Sequence, residues 1–144
     1  MTLYSGVRKG RGGGTGHKLA AMVLALGLTL ASGVAQAQEV IGSYAAFIGR
    51  ADLFNSNGER LTEPWQVLRQ DRANYHRFGI SQPGDEWDPL FDDAGNRAAM
   101  EQMIMRGRMD PQARRNIMAG GAVVYVTIYG RGNVGTYVEV DVFR

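Results

Sequence analysis

The sequence predicts an α+β fold: a small three-stranded, mostly antiparallel sheet in the order β-α-α-α-β-β, with helices packed on one face. Three patterns carry this expectation. Two C-terminal segments alternate strictly between apolar and polar residues around a glycine-rich turn. Three stretches between residues 62 and 121 carry helix start and stop signals. One apolar run precedes them all.

That first run, Val40 to Gly49, reads VIGSYAAFIG. Val40, Tyr44, Ala46 and Ile48 fall on one side of an extended chain; Ile41, Ala45 and Phe47 fall on the other. Because both sides are apolar, the pattern predicts a central strand covered on both faces, or at least not an edge. Residues 50 to 61 read as irregular, with Asn57-Gly58 as the turn, since both residues tolerate positive φ. Thr62-Glu63-Pro64 opens a helix, with Thr62 as N-cap and Pro64 in the first turn, where a missing N–H costs nothing. This helix should reach about Phe78 and stop at Gly79. Trp65, Val67, Leu68, Tyr75 and Phe78 share one arc of its surface, and Asp71 falls inside that arc.

Residues 80 to 91 read as a loop containing Pro83-Gly84, Pro89 and the acids Asp85, Glu86 and Asp88. A second helix follows, capped by Asp93 or Asn96. It carries Ala99, Met100, Met103 and Ile104 on one face and is ended by Gly107. A third starts at Asp110-Pro111 and ends at Gly120-Gly121. Residues 122 to 129 (AVVYVTIY) and 136 to 143 (TYVEVDVF) then form a β-hairpin around Gly130 to Gly135. In the predicted register, Ile128 pairs with Val138, Val126 with Val140 and Val124 with Val142 on the inner face. The outer face carries Tyr125, Thr127, Tyr129, Tyr137, Glu139, Asp141 and Phe143.

The N-terminal segment has a different character. Met1 to Lys18 contains Arg8, Lys9, Arg11 and Lys18 and no carboxylate. An uncharged apolar run from Leu19 to Val34 follows, then the small-x-small triplet Ala35-Gln36-Ala37. Basic, apolar and small-residue regions in that order are the signature of a cleavable secretory signal peptide, here residues 1–37. The apolar run is shorter than the roughly 18 to 20 residues that span a bilayer. No cysteine follows it to accept a lipid, and Arg8-Lys9 is not a twin arginine. The expectation is a single mature domain over 38–144, periplasmic or secreted, without a membrane span once the signal is removed.

Removing residues 1–37 changes the charge. The whole chain is formally +2, but all fourteen carboxylates lie beyond Ala37, with only twelve arginines and no lysine to set against them. The remainder is therefore slightly acidic, which argues against a nucleic-acid partner. The absence of cysteine excludes thiol and disulfide chemistry.

Five features bear on function. Asp71 sits among apolar neighbours, so its carboxylate must be paired or have a raised pKa; this makes it a structural ion pair or a catalytic acid or base. Arg69 and Arg72 point around the helix from it, so its partner is expected from elsewhere in the fold. His76, the one histidine beyond residue 37, lies on the arginine-bearing side of the same helix as a solvated or interface imidazole. Ser43, Ser56 and Ser81 sit in no nucleophile-elbow context. The acids Asp85, Glu86, Asp88, Asp92 and Asp93 suggest oxygen ligands for a hard cation such as calcium, although helix capping and pairing with arginines account for most of them. Asn55-x-Asn57-Gly58 resembles part of an EF-hand loop, but Leu53 and Pro64 occupy the first and last ligand positions. Met100, Met103, Met105 and Met109 are soft ligands in kind, yet Met100 and Met103 share the apolar face with Ile104, where methionine fills core space.

The fifth feature is the outer hairpin face. Tyr125, Tyr129 and Tyr137 with Glu139 and Asp141 offer flat apolar surface and acceptors for a protein, peptide or glycan partner. The leading expectation is a non-catalytic binding module acting through this face, without a cofactor. A small hydrolase or lyase-like enzyme around Asp71, His76 and residues 85–93 is the alternative, and a metal-binding envelope protein is the third. The leader makes its own prediction: the chain recovered from cells begins at Gln38 by N-terminal sequencing, and Ala37→Leu leaves the leader attached.

Overall fold

A computed structural model describes residues 38–144; the segment read as a signal peptide lies outside the described residues. Three strands, β1 (Glu39–Ile48), β2 (Ala122–Arg131) and β3 (Val134–Phe143), form one antiparallel sheet in the order β1-β2-β3. The hairpin has the register that the alternation predicts: Ile128 faces Val138, Val126 faces Val140 and Val124 faces Val142. Side chains alternate sides along a strand, so Val124, Val126, Ile128, Val138 and Val140 all fall on the helix side and are buried.

The first strand departs from its expected place. β2 is central, and β1 is an edge strand that pairs with β2 alone. Tyr44, Ala46 and Ile48 are buried, as the pattern requires. A register shift between Val40 and Gly42 breaks the alternation, turning Val40 outward while Ile41 packs against the core. Apolar residues on both sides of β1 thus do not make it central; its second side belongs to a sheet face that no described element covers.

Edge strands carry unpaired N–H groups, and here the acidic loop satisfies them. Glu86 Oε2 accepts from the Ala45 N–H at 2.8 Å and Asp85 Oδ1 from the Phe47 N–H at 2.8 Å, while the Glu86 N–H donates to the Ala45 carbonyl at 2.9 Å. Gly42 leaves room for Pro89, whose Cγ would lie 2.6 Å from a Cβ at that position. A short 3-10 turn, Arg50–Leu53, leads away from β1.

Helix α1 (Pro64–Ala73) continues directly into a π-helical turn, Asn74–Phe78, and ends at Gly79 with φ +65°. Glu63, not Thr62, is the N-cap residue, because the Gln66 side chain reaches back to accept from the Thr62 and Glu63 N–H groups. The π-turn changes the helical period, so Phe78 leaves the predicted apolar arc and is 47% exposed. The second predicted helix is two pieces, α2 (Ala94–Ala98) and α3 (Met100–Arg106), with Asp93 capping the Asn96 N–H at 2.8 Å. α4 (Pro111–Ala119) begins at Asp110, which accepts from the Ala113 N–H at 2.8 Å. These helices lie on one side of the sheet, where Val67, Leu68, Leu90, Phe91, Met100, Met103, Ile104 and Ile117 close the core.

The far edge of the sheet is bridged at its middle. Arg108 bridges β3, its N–H donating to the Val138 carbonyl and its carbonyl accepting from Val140 at 2.9 Å. The chain reaches β3 through Gly107, where a Cβ would lie 1.6 Å from the Val138 carbonyl oxygen. Gly107→Ala is therefore expected to lower stability in a urea titration by roughly 2–3 kcal/mol. Gly58→Ala, which meets open space at φ +79°, should cost only about 1 kcal/mol.

Candidate functional site

The five residues expected to bind a partner all lie on the sheet face opposite the helices, and strand register orders them into rows. Phe47, Val123 and Phe143 stand side by side across β1, β2 and β3. The next rows are Ala45, Tyr125 and Asp141; then Ser43, Thr127 and Glu139; then Val40, Tyr129 and Tyr137. Large apolar groups remain in contact with solvent here: Phe143 is 60%, Val40 59% and Tyr125 40% exposed.

Cross-strand contacts hold the face in shape. Tyr129 and Tyr137 stack with ring centroids 4.6 Å apart and planes 8° from parallel. The Tyr129 hydroxyl donates to Glu139 Oε2 at 3.3 Å, and the Tyr125 hydroxyl donates to Ser43 Oγ at 3.1 Å. Desolvation, and after it the Glu139 charge, raises the Tyr129 phenol above its ordinary pKa. Arg108, from the segment that seals β3, reaches Glu139 at 3.5 Å. Asp141 is exposed, and among the described residues its carboxylate has no partner. The hairpin alone revealed two-thirds of this surface. The β1 residues Val40, Ser43, Ala45 and Phe47 and the flanking Arg108 were missed, since only strand pairing brings them there.

Asp71 and His76 belong to a different structure, a polar seam between α1, β1 and the loop of residues 80–91. Its centre is Arg72, which has no exposed surface. Arg72 Nε donates to Asp71 Oδ2 at 2.7 Å; Nη1 donates to the Glu86 carbonyl at 2.8 Å and to Asp88 Oδ2 at 3.2 Å. The guanidinium carbon lies 4.0 Å from the Tyr44 ring centroid and 4.9 Å from that of Tyr75. The partner of Asp71 is thus its own sequence neighbour. Asp88 and the Glu86 carbonyl draw the long Arg72 side chain inward, where its Nε meets the Asp71 carboxylate.

His76 is also drawn in, its side chain only 7% exposed and its Nε2 2.7 Å from Asp88 Oδ2. The π-turn moves it off the solvent side expected from regular helix geometry. Asp88 Oδ1 accepts in addition from the Leu90 and Phe91 N–H groups, so one carboxylate fastens the loop to itself, to Arg72 and to His76. Beside this, Asp52 accepts from the Gly49 N–H, from the Asn74 amide at 2.8 Å and from the Gln82 amide at 3.0 Å. Burial raises the Asp52 pKa, and those three donors oppose the shift. Residue type offered no signal for Asp52, Asn74 or Gln82, which come together only through the fold.

The contacts of this seam fasten α1, β1 and the loop to one another. No hydrogen bond joins Asp71 to His76; Arg72 and Asp88 lie between them in the network. No serine donates to the imidazole among the described residues, and Ser43 lies on the outer sheet face. Of the metal candidates, Asp85, Glu86 and Asp88 turn their oxygens toward backbone N–H groups, while Asp92 is exposed and only its carbonyl is engaged, by Arg97. Among the described residues no three acidic or histidine side chains are grouped to hold a metal ion. Met100 and Met103 are core residues, whereas Met105 is 68% exposed.

Burial raises the Asp71 pKa to about 7, against the opposing pull of Arg72. A raised carboxylate pKa means that the folded state binds a proton more tightly than the unfolded chain. This contribution therefore favours folding at low pH and is lost as pH rises from about 4 to about 7. Wild-type stability should fall relative to Asp71→Asn across that window, with a slope of at most about 1.4 kcal/mol per pH unit. Urea titrations of both proteins at several pH values measure it, and parallel pH profiles would remove Asp71 as the titrating group.

No protein-family model, curated protein or solved structure matches the chain.

Proposed function

We propose that the chain is an exported binding protein, periplasmic or secreted, whose outer sheet face docks a partner protein. The observation that carries this reading is the open face itself. Four rows of side chains, rich in tyrosine, phenylalanine and valine, are exposed or half-buried on a sheet whose two edges are partly covered. An exposed, contiguous aromatic surface on a rigid scaffold is characteristic of protein interfaces, where tyrosine supplies large contact area at low entropic cost.

The geometry favours a protein over the other occupants. A peptide added as an extra strand needs a free edge, and here Asp85 and Glu86 occupy the middle of one and Arg108 the middle of the other. A sugar needs exposed ring faces, and of the three tyrosines only Tyr125 is exposed, while Tyr129 and Tyr137 stack on each other half-buried. Glu139 and Asp141 are the acids of the face, and Arg108 at its margin is paired with Glu139. The complementary surface is therefore an apolar patch carrying arginine or lysine opposite Asp141.

The test uses the full-length chain exported through its own leader, with cross-linking in the envelope and identification of the captured protein. Binding is then measured with that purified protein. Tyr125→Ala with Tyr129→Ala, and separately Asp141→Arg, should each weaken binding about tenfold or more. Equal binding by wild type and the double variant would overturn the proposal. So would a concentration-dependent dimer lost in the same variant, which would make the occupant a second copy.

A further inference from the structure

Away from the sheet, a groove of about 330 Å³ runs between the loop at Asn55–Ser56 and the outer side of α1 and its π-turn. Trp65, Arg69, Ala73, Arg77 and Phe78 line it in succession, and no carboxylate does. We propose that this groove binds a small organic oxyanion (a carboxylate, phosphate or sulfate ester) carrying a flat apolar body.

The π-turn is what adds a second cation, Arg77, to the groove. In a regular α-helix, Arg77 would lie about 80° around the axis from Arg69. The π-turn at Asn74–Phe78 takes more residues per turn and brings Arg77 back to the side that carries Arg69 and Ala73. Such turns are frequent at functional sites. Ala73, between the two arginines, is small enough to leave a depression instead of a ridge. The volume falls within the roughly 300–1,000 Å³ of small-molecule sites.

The two cations are available. Among the described residues neither Arg69 nor Arg77 hydrogen bonds to a carboxylate or a carbonyl, while Arg72, Arg97 and Arg108 are held by such partners. Arg77 lies over the Phe78 ring at 5.1 Å, which steadies it at the end of the groove. Glu59, in the loop that forms the opposite wall, is tied to the Asn55 amide at 2.8 Å. Two guanidinium forks bind an oxyanion through paired charge-assisted hydrogen bonds. Trp65, partly buried against the core, provides the wall for the apolar body.

The chain contains two tryptophans, Trp65 and Trp87. Trp87 is exposed, so Trp87→Phe leaves Trp65 as the only indole without disturbing the core. Titrating that protein with phenyl phosphate should change its tryptophan fluorescence saturably at millimolar concentrations or below, whereas benzyl alcohol should not saturate. Arg69→Gln and Arg77→Gln should each weaken phenyl phosphate binding about tenfold. Both residues are exposed, and an unchanged thermal midpoint confirms that each variant still folds. The Tyr125→Ala, Tyr129→Ala protein should bind phenyl phosphate normally, which separates this site from the sheet face. Absence of saturation, equal binding of benzyl alcohol, or unchanged affinity in both arginine variants would overturn the proposal.

Discussion

Arg72 places a full charge where no solvent reaches, and much of the local architecture is the set of contacts that this charge demands. A buried cation must be neutralised and hydrogen bonded within the fold, since removing one partner leaves an uncompensated charge costing several kcal/mol. Asp71 supplies one carboxylate from the same helix. Asp88 supplies another from the loop whose Leu90 and Phe91 are buried in the core. The Glu86 carbonyl and the rings of Tyr44 and Tyr75 add to the cage, although Arg72 Nη2 is buried without a hydrogen-bond partner. Helix, edge strand and loop are thereby registered against one another.

Once Arg72 draws the loop in, Asp85 and Glu86 come level with the N–H groups of β1. Their carboxylates do the work of a fourth strand without being one. A similar closure on β3 uses backbone from the Arg108 segment, and Gly107 permits the approach. With both edges partly covered and helices on one face, the sheet has a single free surface. The proposed docking face is thus the sheet surface that neither the helices nor the edge contacts cover.

Legibility in the sequence varied with the range of the interaction. The hairpin register, the Asp93 and Asp110 caps and the glycine stops were readable because each depends on residues a few positions apart. The aromatic face was readable for the same reason on two of its three strands. The place of β1 was not, because an apolar segment can be central or an edge strand bearing an open face, and only long-range pairing distinguishes them. The partner of Asp71 was misread because a side-chain direction inferred from helix geometry ignores what a long arginine stem can reach.

The sequence by itself determined the local grammar: which segments are strands and helices, which glycines stop them, and which valines face inward. Those choices rest on steric and hydrogen-bonding preferences that act within a few residues. Only the tertiary structure decided the use of the polar residues. It made the acids of the 80–91 loop into an edge seal, turned His76 inward onto Asp88, and brought Arg77 around beside Arg69. A charged side chain has no preferred partner in sequence; its energy depends on burial and on which opposite charge the fold brings within reach.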